Sequence, residues 1–141
     1  MEDVNRRAAL ALGLTGAFIP SVALLYSASI SAEAYGADEG EEVALGVRRV
    51  ELGKGEAIIP GAQAVTLRDV IFQPQATLPT ATMMSDMICH VIKGKLRIVQ
   101  NGKGFTATKN HVWTRTKGMQ EQVTNEGSGV AIMRVTELVP A

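Results

Sequence analysis

The chain is poor in the residues that most often carry chemistry. Cys89 is the only cysteine, so no intramolecular disulfide can form. Histidine is limited to His90 and His111, and Trp113 stands alone beside two Tyr and three Phe. An excess of either charge is also missing, with 14 Lys and Arg against 14 Asp and Glu. No strong field therefore favours nucleic acid or acidic partners. The Lys and Arg of residues 93–97 are too dispersed to make a nucleic-acid surface. There is no internal repeat, and 141 residues suffice for one domain and little more.

What is present divides at residue 34. Asn5-Arg6-Arg7-Ala8-Ala9-Leu10 sets an arginine pair before an apolar run. Ala8 to Ile30 carries no charge and is rich in Ala, Leu, Gly and Ser, and Ala32-Glu33-Ala34 follows as an A-x-A cleavage signal. Residues 1–34 thus resemble a twin-arginine export signal cut after Ala34, with Ala9 standing where such signals usually have Phe. The run is also long enough to span a bilayer as an uncleaved anchor. Pro20, the composition and the A-x-A site favour cleavage. The expected location is periplasmic or secreted, with no membrane attachment after the cut. Twin-arginine export carries folded proteins, which tilts the reading towards a bound ligand. Residues 35–46 open with the acidic YGADEGEEV and are expected to form a flexible leader.

Residues 47–141 read as short strands parted by turns. Val47 to Leu52 alternates weakly and suits an edge strand, with Arg48, Arg49 and Glu51 discouraging edge pairing. Ala64 to Phe72 changes phase across Arg68-Asp69, which predicts either a bulge or a strand buried on both faces near its end. Met87 to Gln100 is apolar and broken once, at Lys93-Gly94-Lys95. Alternation puts Met87, Cys89 and Val91 on one face and Ile88, His90 and Ile92 on the other. Asn101-Gly102 suits a primed hairpin turn. Strands are expected over Phe105–Thr108, Val112–Arg115, Gln120–Thr124 and Val130–Val139, with turns at 109–111, 116–118 and 125–129. Such a rhythm suits a small antiparallel sandwich or barrel.

The spacing of these residues resembles the cupin family. Counted back from Gly94, the first cupin motif puts Met87 in its Glu slot. Its two His slots fall on Thr80 and Thr82, or on Ala81 and Met83 with the shorter gap. The second motif falls on Asn110, Thr116-Lys117-Gly118, Glu121 and Asn125. Gly94, Gly118 and Asn125 keep the family's residue type, while all four usual metal ligands are replaced. Pro74-Gln75-Ala76 replaces the Gly that opens the first motif, which implies a different local turn. The resemblance runs over roughly residues 60–138. It implies an all-β fold over residues 47–141: a single-domain, cupin-like antiparallel β-barrel of the jelly-roll type. In that register Met87 and Cys89 line the cavity and His90 points out.

A working cupin metal site uses three imidazoles and a carboxylate. Neither histidine lies in a ligand slot, so the expectation is no metal and no cofactor. One rescue is a soft Cu(I) site from Cys89, Glu121 and Met83, Met84 or Met87, although core filling is the commoner role of methionine. His90 lies on the opposite face from Cys89 and cannot serve as its base on a regular strand. Glu121 takes the slot of a ligand imidazole. It either pairs with Arg115, six residues earlier on the adjacent strand, or stands exposed in a turn.

The leading expectation is an exported protein that binds a small molecule in the barrel without a transition metal. Thr80, Thr82, Met87, Cys89, Trp113, Arg115 and Glu121 are the expected cavity residues. Glu121 and Arg115 orient the guest, and Met87, Cys89 and Trp113 supply apolar contact. One alternative is a metal-independent isomerase- or epimerase-like enzyme with Glu121 as the base. Another is a structural or interaction module. The resemblance implies a homodimer under each, and no nucleic-acid partner is expected.

Overall fold

The computed structural model describes residues 35–141. Residues 1–34, and with them the expected export signal, lie outside the described residues. The described chain forms ten strands and no helix: β1 (Glu41–Ala44), β2 (Val47–Glu56), β3 (Ala62–Phe72), β4 (Thr77–Thr82), β5 (Asp86–Lys93), β6 (Lys95–Gln100), β7 (Lys103–Thr108), β8 (Val112–Arg115), β9 (Gln120–Thr124) and β10 (Ala131–Pro140). A six-stranded sheet runs β1-β2-β3-β10-β5-β8, and a four-stranded sheet runs β4-β9-β6-β7. All the pairings are antiparallel. β10 is the last strand in sequence, yet it lies inside the larger sheet between β3 and β5. Phe72, Val91, Met133 and Val135 from that sheet pack with Leu96, Ile98 and Val123 from the other. Burial of such side chains is the main driving force for closing the two sheets on each other.

The leader expected over residues 35–46 is not flexible throughout. Glu41 and Glu42 in β1 stand opposite Arg49 and Arg48 in β2. Arg49 reaches Glu41 at 2.9 Å, and Arg48 donates to the carbonyls of Asp38, Glu39 and Gly40 at 3.0, 3.0 and 2.7 Å. The arginines that were expected to repel a neighbouring strand instead recruit an acidic one, since opposite charges across a ladder attract.

The phase change in β3 is not a bulge. Its ladder with β10 runs unbroken from Phe72–Ala131 to Ala64–Val139, and the irregularity lies on β2, between Glu51 and Gly53. Val70, Ile71 and Phe72 are all buried, so β3 is covered on both faces at its end. Arg68 faces inward and Asp69 outward, each held by its own partner: Glu137 at 2.7 Å and Arg134 at 2.8 Å.

Turn chemistry fixes the crossings. Gly94 has φ of 74° and carries the chain from one sheet to the other. A Cβ there would lie 3.0 Å from the Val130 carbonyl oxygen, so glycine is required for both backbone and space. Asn101 and Gly102 have φ of 47° and 85° and close the β6–β7 hairpin as a primed turn. Where the cupin glycine is replaced by Pro74, the positive φ moves to Gln75, at 68°. Asn125 locks that turn. Its backbone N–H donates to Ala76 and its carbonyl accepts from Gln75. Its Nδ2 donates to the carbonyls of Phe72, Gln73 and Gly129 at 3.1, 3.2 and 2.8 Å.

Candidate functional site

The site forms where β5, β8 and β10 of the large sheet face β9 of the small one. In a ladder, residues directly opposite share a face. Met87 pairs with Arg115 and Cys89 with Trp113, so all four point into the barrel. The tight turn at Gly118, with φ of 90°, folds β9 back behind β8. Glu121 then points inward from β9, buried beside Val123.

These placements bring Arg115 and Glu121 into a buried ion pair, Nη2 to Oε1. Glu121 Oε2 also accepts from Trp113 Nε1 at 3.1 Å and Gln100 Nε2 at 2.8 Å. Gln100 is fixed in turn by the Thr114 carbonyl, 2.9 Å away. The rest of the Arg115 guanidinium faces sulfur: Nη1 to Met87 Sδ at 3.6 Å and Nη2 to Met133 Sδ at 3.5 Å. A second pair lies on the far side of Met87. Arg68 donates to Glu137 at 2.7 Å and approaches the same Met87 sulfur at 3.9 Å. Ser85 donates to the other Glu137 oxygen. Burial works against the Glu137 carboxylate, but the Ser85 hydroxyl and the Arg68 guanidinium outweigh it and hold the group below its ordinary 4.5.

Ala81 pairs with Glu121 and so shares its barrel-facing side, yet Ala81 is exposed. Arg68 and Glu137 also face inward while keeping 14% and 22% of their side chains accessible. Phe72, Val91 and Leu96 are fully buried in the core.

Of the residues expected on the cavity, Met87, Cys89, Trp113, Arg115 and Glu121 come together. Thr80 and Thr82 do not join them, for both are exposed on β4. The ladder slips between Leu78 and Ala81, and Thr82 pairs with the exposed Gln120. That slip turns Ala81, the shorter-gap alternative, towards Glu121. Arg68, Glu137, Met133, Gln100 and Ser85 were not anticipated. Arg68 and Glu137 are 69 residues apart, and no spacing rule links them.

The donor set does not fit a transition metal. Among the described residues no three His, Cys, Asp or Glu side chains converge. His90 lies opposite Arg134 on the outer face, and His111 stacks on Phe105 with ring centroids 5.5 Å apart. The soft Cu(I) set is not assembled either, because Met87 and Met133 direct their sulfurs at the Arg115 cation. Met84 is exposed. Cys89 is fully buried, and that burial pushes its thiol from 9.0 up to about 11, with Arg115 only partly offsetting it. The thiolate that a soft metal needs is thus disfavoured.

No family model matches the sequence, and no curated protein matches it. Solved structures do share the fold. The cupin domain of Schizosaccharomyces pombe Cnp3 is 18% identical, with TM-score 0.58, over 76% of this chain and 74% of that one. An RmlC-like cupin from Shewanella frigidimarina is 13% identical, with TM-score 0.57, over 75% of this chain and 89% of its own. A cupin superfamily protein from Desulfitobacterium hafniense is 14% identical, with TM-score 0.53, over 70% of this chain and 83% of its own. With ten antiparallel strands in two facing sheets and neighbours of this kind, the chain has the RmlC-like cupin fold.

Proposed function

We propose that this cupin-fold protein binds a small molecule in its barrel, over the Arg115–Glu121 pair. One observation carries the reading. Ala81, directly opposite Glu121 and on its face, is exposed to solvent on the edge strand β4, which leaves the buried pair one strand away from water. Met87, Met133 and Trp113 supply apolar and polarisable surface around it. An apolar pocket with a few convergent polar groups is the usual form of a small-molecule site.

The enzyme reading, with Glu121 as base, has less support. Arg115, Trp113 and Gln100 already engage both of its oxygens, which suits a fixed anchor. Export to the periplasm or beyond belongs to the proposal on the strength of Arg6-Arg7 and Ala32-Glu33-Ala34 alone. A homodimer belongs to it by resemblance.

Thermal-shift measurements with a panel of metabolite-sized neutral, acidic and basic compounds test the binding reading. At least one compound should raise the Tm of the natural protein and leave the Arg115→Met/Glu121→Leu double variant unmoved. A panel that stabilises neither, or both equally, would overturn it.

A further inference from the structure

The Arg115 guanidinium is almost fully buried, and its hydrogen bonds can be counted one by one. Nη2 meets Glu121 Oε1 and Met133 Sδ, and Nη1 meets Met87 Sδ. A thioether is a weak acceptor, so the carboxylate is the one strong acceptor for five N–H donors. Nε is buried and has no acceptor among the described residues. Buried polar groups are nearly always satisfied, and a buried donor without a partner costs about 1–3 kcal/mol. Glu121 Oε1, apart from its ion-pair contact with Arg115, likewise has no hydrogen-bond partner among the described residues, so the pair leaves one donor and one acceptor unmet. Only Glu121 Oε2 is fully supplied, by Gln100 Nε2 and Trp113 Nε1.

The charge of the floor restricts the guest further. Arg115 is balanced by Glu121, and Arg68 by Glu137. Cys89 stays protonated near neutral pH, since burial pushes its thiol up to about 11. The two arginines and two glutamates sum to zero. A carboxylate or phosphate would bring an extra negative charge beside Glu121 with no spare cation, and a buried charge without a partner is strongly disfavoured.

Resting on the binding reading above, we propose that the ligand is uncharged and carries an amide or hydroxyl group, whose oxygen accepts from Arg115 Nε–H and whose N–H or O–H donates to Glu121 Oε1. Met87 and Met133 act as yielding neighbours of the guanidinium. Unbranched thioethers repack readily, so they give way as the ligand oxygen arrives.

The test follows the Arg115 Nε–H resonance in proton–nitrogen correlation spectra of the natural protein. Its disappearance in Arg115→Lys assigns it; if that variant does not fold, through-bond correlation from the Arg115 side-chain carbons does the same. Acetamide and acetate are titrated separately at equal concentrations. Acetamide should move the resonance at least fivefold further than acetate. An equal or larger shift with acetate would overturn the uncharged class while leaving the binding reading in place. No shift with either probe would show a closed interior and overturn both.

Discussion

Arg115 and Glu121 pair in the floor of the barrel with side chains only 6% and 1% exposed. Charges so far from water depend on each other. Removing one leaves the other buried and unbalanced, whereas replacing both by apolar groups is often tolerated. Glu121→Gln keeps the shape and one acceptor oxygen but loses the charge. It should destabilise the fold by roughly 1–3 kcal/mol in urea denaturation, while Arg115→Met/Glu121→Leu should cost less than the single change. An unchanged urea midpoint for Glu121→Gln would mean that the pair contributes nothing.

Alkaline pH should weaken the fold through Cys89. The unfolded thiol loses its proton from about 9.0, whereas the buried one holds it to about 11. The stability this residue gives is complete below the lower value and is lost as pH rises through the upper one. Two units correspond to roughly 3 kcal/mol. Urea midpoints for the natural protein should fall steeply across that window, and those of Cys89→Ala should fall less. Parallel slopes would exclude Cys89 as the cause.

Acid should act through Glu137. Its carboxyl is held below 4.5 by Ser85 and Arg68 against the effect of burial. That contribution is present above 4.5 and disappears as pH falls through the folded value. Ser85→Ala removes one of the two donors, so acid unfolding followed by circular dichroism should begin at a higher pH than in the natural protein.

Asn125 gives the largest expected effect of a single polar change. Its Nδ2 serves three carbonyls, and its Oδ1 accepts from the Gly127 N–H at 2.9 Å. Asn125→Asp turns the donor into an acceptor facing carbonyl oxygens. A loss of roughly 2–4 kcal/mol is expected in urea denaturation, well above that of a surface change.

Cleavage after Ala34 is expected on export. Mass spectrometry of periplasmic or secreted protein should find Tyr35 as the first residue. An intact Met1 on membrane-bound protein would establish an anchor instead.

Local patterns carried much of this architecture, and long-range pairing carried the rest. The Asn101-Gly102 turn and the shared face of Met87 and Cys89 follow from neighbours in sequence. The inward direction of that face comes from the cupin register, and the Arg115–Glu121 pair is one of two alternatives that the fold decides. Of the two gap lengths, the expected one puts Thr80 and Thr82 on the cavity, and a one-residue slip exchanges the two sides of a strand. The ladder irregularity between Leu78 and Ala81 decides for Ala81 instead. The Arg68–Glu137 and Asp69–Arg134 pairs span 69 and 65 residues, and only folding brings them together. Acidic Glu41 and Glu42 read as solvated chain until Arg48 and Arg49 are seen across from them.

The position of β10 constrains how this protein is made. Residues 131–140 occupy the gap between β3 and β5, so the larger sheet has no continuous ladder without them. During synthesis, β1-β2-β3 and β5-β8 can form only as separate ribbons with open edges until those residues clear the ribosome. The sheet must then close in one late step dominated by contacts distant in sequence, which makes such steps slow. Until that moment the nascent chain exposes strand edges that invite aggregation, and holding them apart falls to whatever receives the chain at the exit tunnel.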